Sequence, residues 1–334
     1  MYNICIVGAG VTGLSLLLLL QESKADMSKV CIIDPHFDGG DLARKWTTVQ
    51  SNTPWSKTTS ALLKACPSLQ LTDLSSTTTL IEIAALLQQL TAPILKKVGY
   101  IPGVVTRANY STGPQWWTIY ANVAGKSVEI LSKKLILAPG SDPKTLDLPI
   151  PSIPLEVALN KHTLQHYIKP NQNVIVFGTL HSGTIVIRNL VACGATVSAY
   201  YHSEKPFYWD RDGAYDGIKE EAAQIADDIM AGKIPVDLIP VQDTAKVIRG
   251  AAVATWVVYA MGFARRNSIQ ISIDAIINDS RAYNGATGLF DTLPSAWGFG
   301  IAYPNLAPDS IHWDVSVAAF LEHMGKQIPD ILKW

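Results

Sequence analysis

Residues 8–13 read Gly-Ala-Gly-Val-Thr-Gly, and these types at this spacing suit one task, holding a phosphorylated ligand against bare backbone. Gly8 permits a tight turn out of a strand, Gly10 lets a pyrophosphate approach the loop, and Gly13 lets the next helix lie close to the strand. The N-terminus of that helix offers unpaired amides and the positive end of its dipole to the anion. Asp34 stands about 20 residues beyond Gly13, where a ribose partner belongs. An acid there accepts hydrogen bonds from ribose hydroxyls and repels a 2′-phosphate. The first loop is therefore expected to take FAD or NAD(H), and not NADP(H).

A second loop, GTLHSG at 178–183, keeps Gly178 and Gly183 in the first and third glycine positions but has Leu180 in the middle one. A side chain at that place crowds a pyrophosphate against the loop. Two readings stand, a working nucleotide site and a structural relic of one. Ser182 and Gly183 open the helix that follows. The strand after it ends in His202, Ser203, Glu204 and Lys205, a cluster that suits a 2′-phosphate better than a bare ribose.

The elements that must position these loops are short apolar runs bounded by glycine, the mark of strands in a parallel sheet covered on both faces. The sequence predicts a strand over Tyr2 to Val7, a helix from about Val11 to Ser23, and a strand over Val30 to Ile33 ending in Asp34. Around the second loop it predicts strands over Asn173 to Phe177 and Thr196 to Tyr201, with a helix between them to about Val191. KLILAPG at 134–140 and WVVYAMG at 256–262 each read as a strand ending in a small-x-Gly turn, at Gly140 and Gly262. The run Ile4 to Leu20 has neither a basic segment ahead of it nor freedom from glycine, so it reads as strand plus helix and not as a signal or a membrane span. A cytoplasmic protein without membrane insertion is expected.

Composition bounds the rest. The chain has 334 residues, 48% apolar and 16% charged, with 27 basic and 28 acidic side chains and a formal charge of −1. That length suggests about two domains. The apolar excess implies large cores and excludes a disordered chain. Near-neutrality without a basic stripe excludes a nucleic-acid binder that works by global charge. The four cysteines, at 5, 31, 66 and 193, fit neither a disulfide framework nor a zinc site, and CxxC is absent. Thiol–disulfide chemistry of the paired-cysteine kind is thereby excluded.

Fingerprint, Asp34, Gly39-Gly40, Trp46, Asn52, first crossover, second fingerprint and second crossover, in that order, resemble the flavin-containing monooxygenase family and its Baeyer–Villiger and N-hydroxylating relatives. The resemblance spreads over nearly the whole chain as pattern, not as close identity. It implies FAD at the first fingerprint and NADPH at the second. GGDLARKW at 39–46 resembles the family's Gly-Gly-x-Trp segment, so Gly40 and Trp46 would lie at the cofactor. VQSNTPWSK at 49–57 resembles the segment whose Asn faces the flavin ring, a catalytic role that would fall to Asn52. The helical stretch Thr79 to Leu90 and Gly103-Val104-Val105-Thr106 resemble the helix and strand that follow, with the backbone of Val105 toward the adenine. AWGFGIAYP at 296–304 resembles the closing flavin motif, with Gly300 as its Gly and Ile301 in place of its usual Asp.

The family's FxGxxxHxxx(Y/W) signature is degraded. With His162 as its His, Glu156 and Ala158 replace Phe and Gly, and Tyr167 comes one residue late. Gly125-Lys126-Ser127 reads as a turn and not as a P-loop, and His162 with His166 lacks a third metal ligand. Trp46 and Trp209 have the best claim among nine Trp to sit near cofactor or substrate. Arg265 and Arg266 read as a solvated pair ahead of a phosphate-facing one.

The fold expected is α/β: a Rossmann-like flavin-binding domain over 1–145 and 252–334, with a smaller Rossmann-like NAD(P)-binding domain inserted over 146–251. Pro143, Pro149, Pro151 and Pro154 stiffen the outgoing linker. The function expected is an FAD-dependent, NADPH-using oxidoreductase that oxygenates a small nucleophilic molecule between its domains. Two alternatives stand beside it: a reductase of a quinone or other non-thiol acceptor, and a non-catalytic flavin-binding protein. A homo-oligomer is compatible with all three.

Overall fold

The apolar run at the N-terminus folds as two elements. β1 (Tyr2–Val7) leads into a turn at Gly8, whose φ of +106° is glycine territory, and then into α1 (Val11–Glu22). A computed structural model describes residues 1–51, 53–71, 79–207, 215, 218, 221–278, 282–306 and 313–333. Among these, no helix is long and apolar enough to cross a membrane. β2 (Val30–Asp34) is buried throughout and runs parallel to β1 with Ile33 beside Val7, so the fingerprint and Asp34 emerge at one end of the sheet. α2 (Asp41–Arg44), α3 (Trp55–Ala65) and α4 (Leu80–Leu95) follow. The last of these opens on a capping box in which the Glu82 carboxylate accepts from the Thr79 backbone N–H at 2.7 Å.

β3 (Gly99–Pro102) extends the parallel sheet beyond β2. β4 (Val104–Ser111), β5 (Trp116–Val123) and β6 (Lys126–Leu137) form an antiparallel meander. β6 changes partners along its length. Its first half pairs with β5, and from Ser132 to Leu137 it runs parallel to β1, which joins the meander to the nucleotide-type sheet.

The chain divides into two compact units, Met1–Ser141 with Arg265–Trp334, and Asp142–Ala264. The crossing strand β7 (Ser141–Pro143) precedes α5 (Leu155–Leu159) and α6 (Lys161–Leu164) in the second unit. Then come β8 (Asn173–Phe177), α7 (His181–Ala192), β9 (Thr196–Tyr201), α8 (Glu221–Met230), β10 (Asp237–Pro240), α9 (Thr244–Val253) and β11 (Trp256–Tyr259). The four strands form a parallel sheet in the order β10-β9-β8-β11. One expectation is corrected here. The strand leading to Gly262, expected in the flavin domain from residue 252 on, is β11, which pairs in parallel with β8 and belongs to the second unit. The proline-rich stretch is zipped onto it, because Val257 donates to Pro151 and Ile153 donates back to Val257.

After the return crossing at β12 (Phe263–Arg265), β13 (Gln270–Ile273) lies parallel to β4, with β14 (Ile276–Ile277) outside it. β15 (Ala296–Gly298) lies parallel to β6 at Leu135–Leu137. β16 (Asn305–Leu306), β17 (Trp313–Asp314) and α10 (Val317–Leu332) complete the first unit. Ser316 caps the start of α10 by accepting from Ala319 N–H. At its end the buried Lys134 ammonium donates to the carbonyls of Ile331 and Lys333. Lys134 pairs with Ile4 at the start of β1, so α10 runs antiparallel to the strands, as α1 does. The largest core cluster fills the space between this sheet and α1, α3, α4 and α10.

Candidate cofactor site

The glycines of the first loop are demanded by different things, as the space around each shows. A Cβ on Gly8 would lie 2.2 Å from the Ala138 carbonyl oxygen, and one on Gly13 would lie 1.9 Å from the Gly8 carbonyl oxygen. Those two glycines are fixed by strand, turn and helix packing. Gly10 is different. Its φ of −70° suits any residue, and a Cβ there would meet nothing closer than the Gly40 Cα at 3.8 Å. The fold does not need a glycine at position 10, whereas an anion seated on the loop does. Gly10 is also the N-cap of α1, which has no side-chain cap and no acid in its first turn, so the amide end of the helix is open to an anion.

Asp34 is buried, and its carboxylate accepts three backbone N–H groups. Oδ2 takes Ala9 at 2.8 Å, and Oδ1 takes His36 at 2.8 Å and Phe37 at 2.9 Å. It therefore shapes the fingerprint loop and the turn after β2, holding Phe37 at a φ of +56°. An ionised carboxylate has about four acceptor positions, so one remains for a hydroxyl. The Asp34 carbonyl accepts from Gly103, which brings the start of β4 beside it. Val105 packs its side chain into the core, leaving only backbone for an adenine.

Two further glycine segments close on the loop. Gly39 bridges to Gly10, and a Cβ on Gly40 would fall 2.9 Å from the Gly10 Cα. Gly300, at a φ of +78°, packs against Thr12, whose Oγ1 lies 2.3 Å from where its Cβ would be. The closing motif is thus seated on the first turn of α1, while the Ile301 side chain is exposed. Trp46 is a buried side chain.

The expectation of a solvated arginine pair fails. Arg266 donates to Asp41 Oδ2 at 2.6 Å and to the Pro139 carbonyl at 3.3 Å, beside Gly140, while its backbone N–H donates to the Gly140 carbonyl. Arg265 lies 4.4 Å above the Tyr303 ring. Both cations are held inside the first unit's own structure, and sequence gave no sign of their partners. Asp41 stands next to Gly40, so Arg266 ties the crossover turn to the segment that covers the fingerprint.

The second loop repeats the backbone of the first. A Cβ on Gly178 would meet the Ala260 carbonyl at 2.3 Å, and one on Gly183 would meet the Gly178 carbonyl at 2.1 Å. Leu180 stands just before α7 as its N-cap position and makes no side-chain cap, in the place of Gly10. The register fixes another equivalence. Gly8 donates to Ile33 and Gly178 donates to Tyr200, so the counterpart of Asp34 is Tyr201, with His202 one residue further. His202 is exposed, Ser182 is partly buried at the start of α7, and the Ser203 hydroxyl donates to the Lys205 carbonyl. The degraded signature region has structural work: Asn189 of α7 donates to the carbonyls of Ala158 and Leu159. α6 ends at Leu164, before His166, and no metal-holding cluster occurs among the described residues. Asn52 and Trp209 lie outside the described residues.

Cys5, Cys31 and Cys66 are buried, and Cys193 is partly so. Cys5 and Cys31 are neighbours across β1 and β2, and the hydrogen bond between them, with burial, pushes the Cys5 thiol well above the usual range. Burial raises Cys66 to about 11 and raises Cys193 too.

No family model matches the chain. Monooxygenase AgnR1 of Paecilomyces divaricatus is 25% identical, over 97% of this chain and 96% of its own. Among solved structures, the bacillithiol disulfide reductase Bdr (YpdA) of Bacillus cereus matches with a TM-score of 0.67 at 13% identity, covering 99% of this chain and 98% of that one. OTEMO, in complex with FAD and NADP, matches with a TM-score of 0.61 at 15% identity, over 98% of this chain and 86% of its own. In sequence the chain is similar to a monooxygenase, and in fold to both a disulfide reductase and a protein that binds FAD and NADP.

Proposed function

We propose that the chain is an FAD-dependent oxidoreductase of the monooxygenase kind, reduced by a nicotinamide dinucleotide and oxygenating a small nucleophilic molecule in the cytoplasm. The observation that carries the flavin assignment is Gly10, a glycine that neither backbone conformation nor packing requires, at an uncapped helix N-terminus. The amides of the first turn of α1 would hold the diphosphate, Asp34 the adenosine ribose, and the backbone at Val105 the adenine. Gly40 and Gly300 keep side chains out of the approach to that turn. The flavin, when bound, supplies electron transfer and oxygen reactivity that no side chain possesses. The protein's part is to bind it, orient it and exclude water.

The buried thiols support this reading over disulfide reduction, despite the fold shared with a disulfide reductase. A second reading, reduction of a quinone or other non-thiol acceptor, is favoured by one feature. The segment in the place of the FxGxxxH signature is fastened to α7 through Asn189. Reconstitution with FAD, followed by turnover with NADPH, isotopically labelled oxygen and a panel of thioethers, amines and ketones, tests both. Label in an organic product is expected. Acceptor reduction without label establishes the second reading, and failure to bind FAD overturns both.

A further inference from the structure

We infer that Leu180 and Tyr201 are the specificity-determining residues of the second unit, and that they make it a weak, exchangeable site for a pyrophosphate-linked nicotinamide dinucleotide. The inference rests on the proposed flavin enzyme and deepens it.

The two strand–turn–helix repeats provide an internal comparison. Each has two glycines whose absent side chain is dictated by neighbouring backbone: Gly8 and Gly13 in the first, Gly178 and Gly183 in the second. Each also has two positions at which the repeats differ, the residue just before the helix and the last residue of the second strand. In the first repeat these are Gly10 and Asp34, and in the second they are Leu180 and Tyr201. The glycines that backbone packing demands are kept in both repeats, and the two positions where a bound dinucleotide would meet the loop are changed.

The chemistry of each change is specific. Leu180 places an isobutyl group at the uncapped start of α7, where a diphosphate would otherwise reach the amides directly. Backbone strain does not explain it, because Leu180 has φ −77° and ψ −161°, close to the −70° and −173° of Gly10. Glycine therefore fits position 180 without any change in the turn. Tyr201 removes the carboxylate that would accept a ribose diol and would repel a 2′-phosphate. Its backbone is already used, since its carbonyl accepts from Val241. A side-chain exchange at 201 leaves that bond in place.

The test is equilibrium binding of ADP-ribose, which carries the pyrophosphate but cannot transfer hydride, to the FAD-loaded protein by titration calorimetry. NADPH and NADH are titrated in parallel. Leu180→Gly is expected to tighten ADP-ribose and NADPH at least tenfold, with Leu180→Ala giving a smaller gain in the same direction. Adding Tyr201→Asp to Leu180→Gly is expected to shift preference toward NADH by a further tenfold. ADP-ribose affinity unchanged or weakened in both Leu180 variants overturns the inference, as does a wild-type affinity already equal to that of Leu180→Gly. Retention of the yellow flavin spectrum in every variant separates these outcomes from failure of the flavin assignment itself.

Discussion

Adding one methyl group at each fingerprint glycine should separate folding from cofactor binding. For Gly10→Ala the backbone is already suitable, at φ −70° and ψ −173°, and the new carbon meets nothing closer than 3.8 Å. The unfolded chain loses freedom, so the flavin-free protein should hold its stability or gain about 0.4–1 kcal/mol. The cost falls on the ligand. A methyl that keeps a diphosphate from one amide removes a charge-assisted hydrogen bond of about 1.5–3 kcal/mol, or roughly a ten- to hundredfold loss of FAD affinity. Gly13→Ala puts the methyl 1.9 Å from the Gly8 carbonyl oxygen and 3.0 Å from its carbon, so helix and strand must part by about an ångström. Overpacking of that kind costs about 3 kcal/mol or more, in the flavin-free protein as well. Thermal melts of the deflavinated proteins and FAD titration by flavin fluorescence measure the two quantities. The reasoning is refuted if Gly10→Ala melts as low as Gly13→Ala, or if it binds FAD as tightly as the wild type.

Three further outcomes follow from particular contacts. Gly250→Ala in α9 would set a Cβ 2.0 Å from the buried Tyr200 hydroxyl oxygen but 3.4 Å from the ring carbon behind it. It should destabilise by about 1–3 kcal/mol alone, yet stabilise in a Tyr200→Phe background, where helix propensity favours Ala by about 1 kcal/mol; additivity in a double-mutant cycle of denaturant melts would contradict this. Arg266→Met should cost about 1–2 kcal/mol, and Asp41→Asn should cost less in that background than alone, because the ion pair they share is then already lost; independent costs would show otherwise. His323 packs edge-on to Phe299, beside Gly288, with Nε2 unpartnered, and burial, helped by Lys326, lowers its pKa from 6.5 to about 4. The unfolded chain binds that proton more readily, so its contribution is full above pH 6.5 and is lost as pH falls toward 4, on the order of 3 kcal/mol. His323→Gln should flatten the slope of stability against pH over that window, and an unaltered slope would exclude His323 as its source.

Much of the scaffold was legible because the signals were local. β1, β8 and β9 end where the glycine-bounded apolar runs end, since a parallel strand buried on both faces tolerates polar residues only at its tips. What sequence concealed was long-range. Arg266 finds Asp41 across 225 positions, and nothing in a pair of adjacent arginines announces so distant a partner. The strand before Gly262 could have closed either sheet, because WVVY has the same apolar pattern in both settings, and only its register with β8 decides. The position of Asp34 marks it as a ribose ligand, but its part in shaping the loop through Ala9, His36 and Phe37 depends on a turn that spacing alone does not reveal.

The shared fold cannot decide between oxygenation and disulfide reduction, because one scaffold hosts both. The decision must come from which groups can exchange electrons with a flavin. A thiol serves that purpose as its thiolate, exposed and near its partner. Cys5 and Cys31 are partners in space, yet both lie within a central strand pair with no exposure, and Cys5 is pushed toward the protonated form by its neighbour and by burial. Cys66, at about 11, would be thiolate in roughly one molecule in ten thousand at neutral pH. Cys193 is on the α7 end remote from the loop glycines, and its pKa is raised as well. Three of the four cysteines are buried and the fourth partly so, and Cys5, Cys66 and Cys193 are all pushed toward the protonated form. On the proposed function, electrons that reach a flavin at Gly10 pass to a diffusible acceptor and not to a protein thiol, and oxygen is the acceptor that the likeness to a monooxygenase favours.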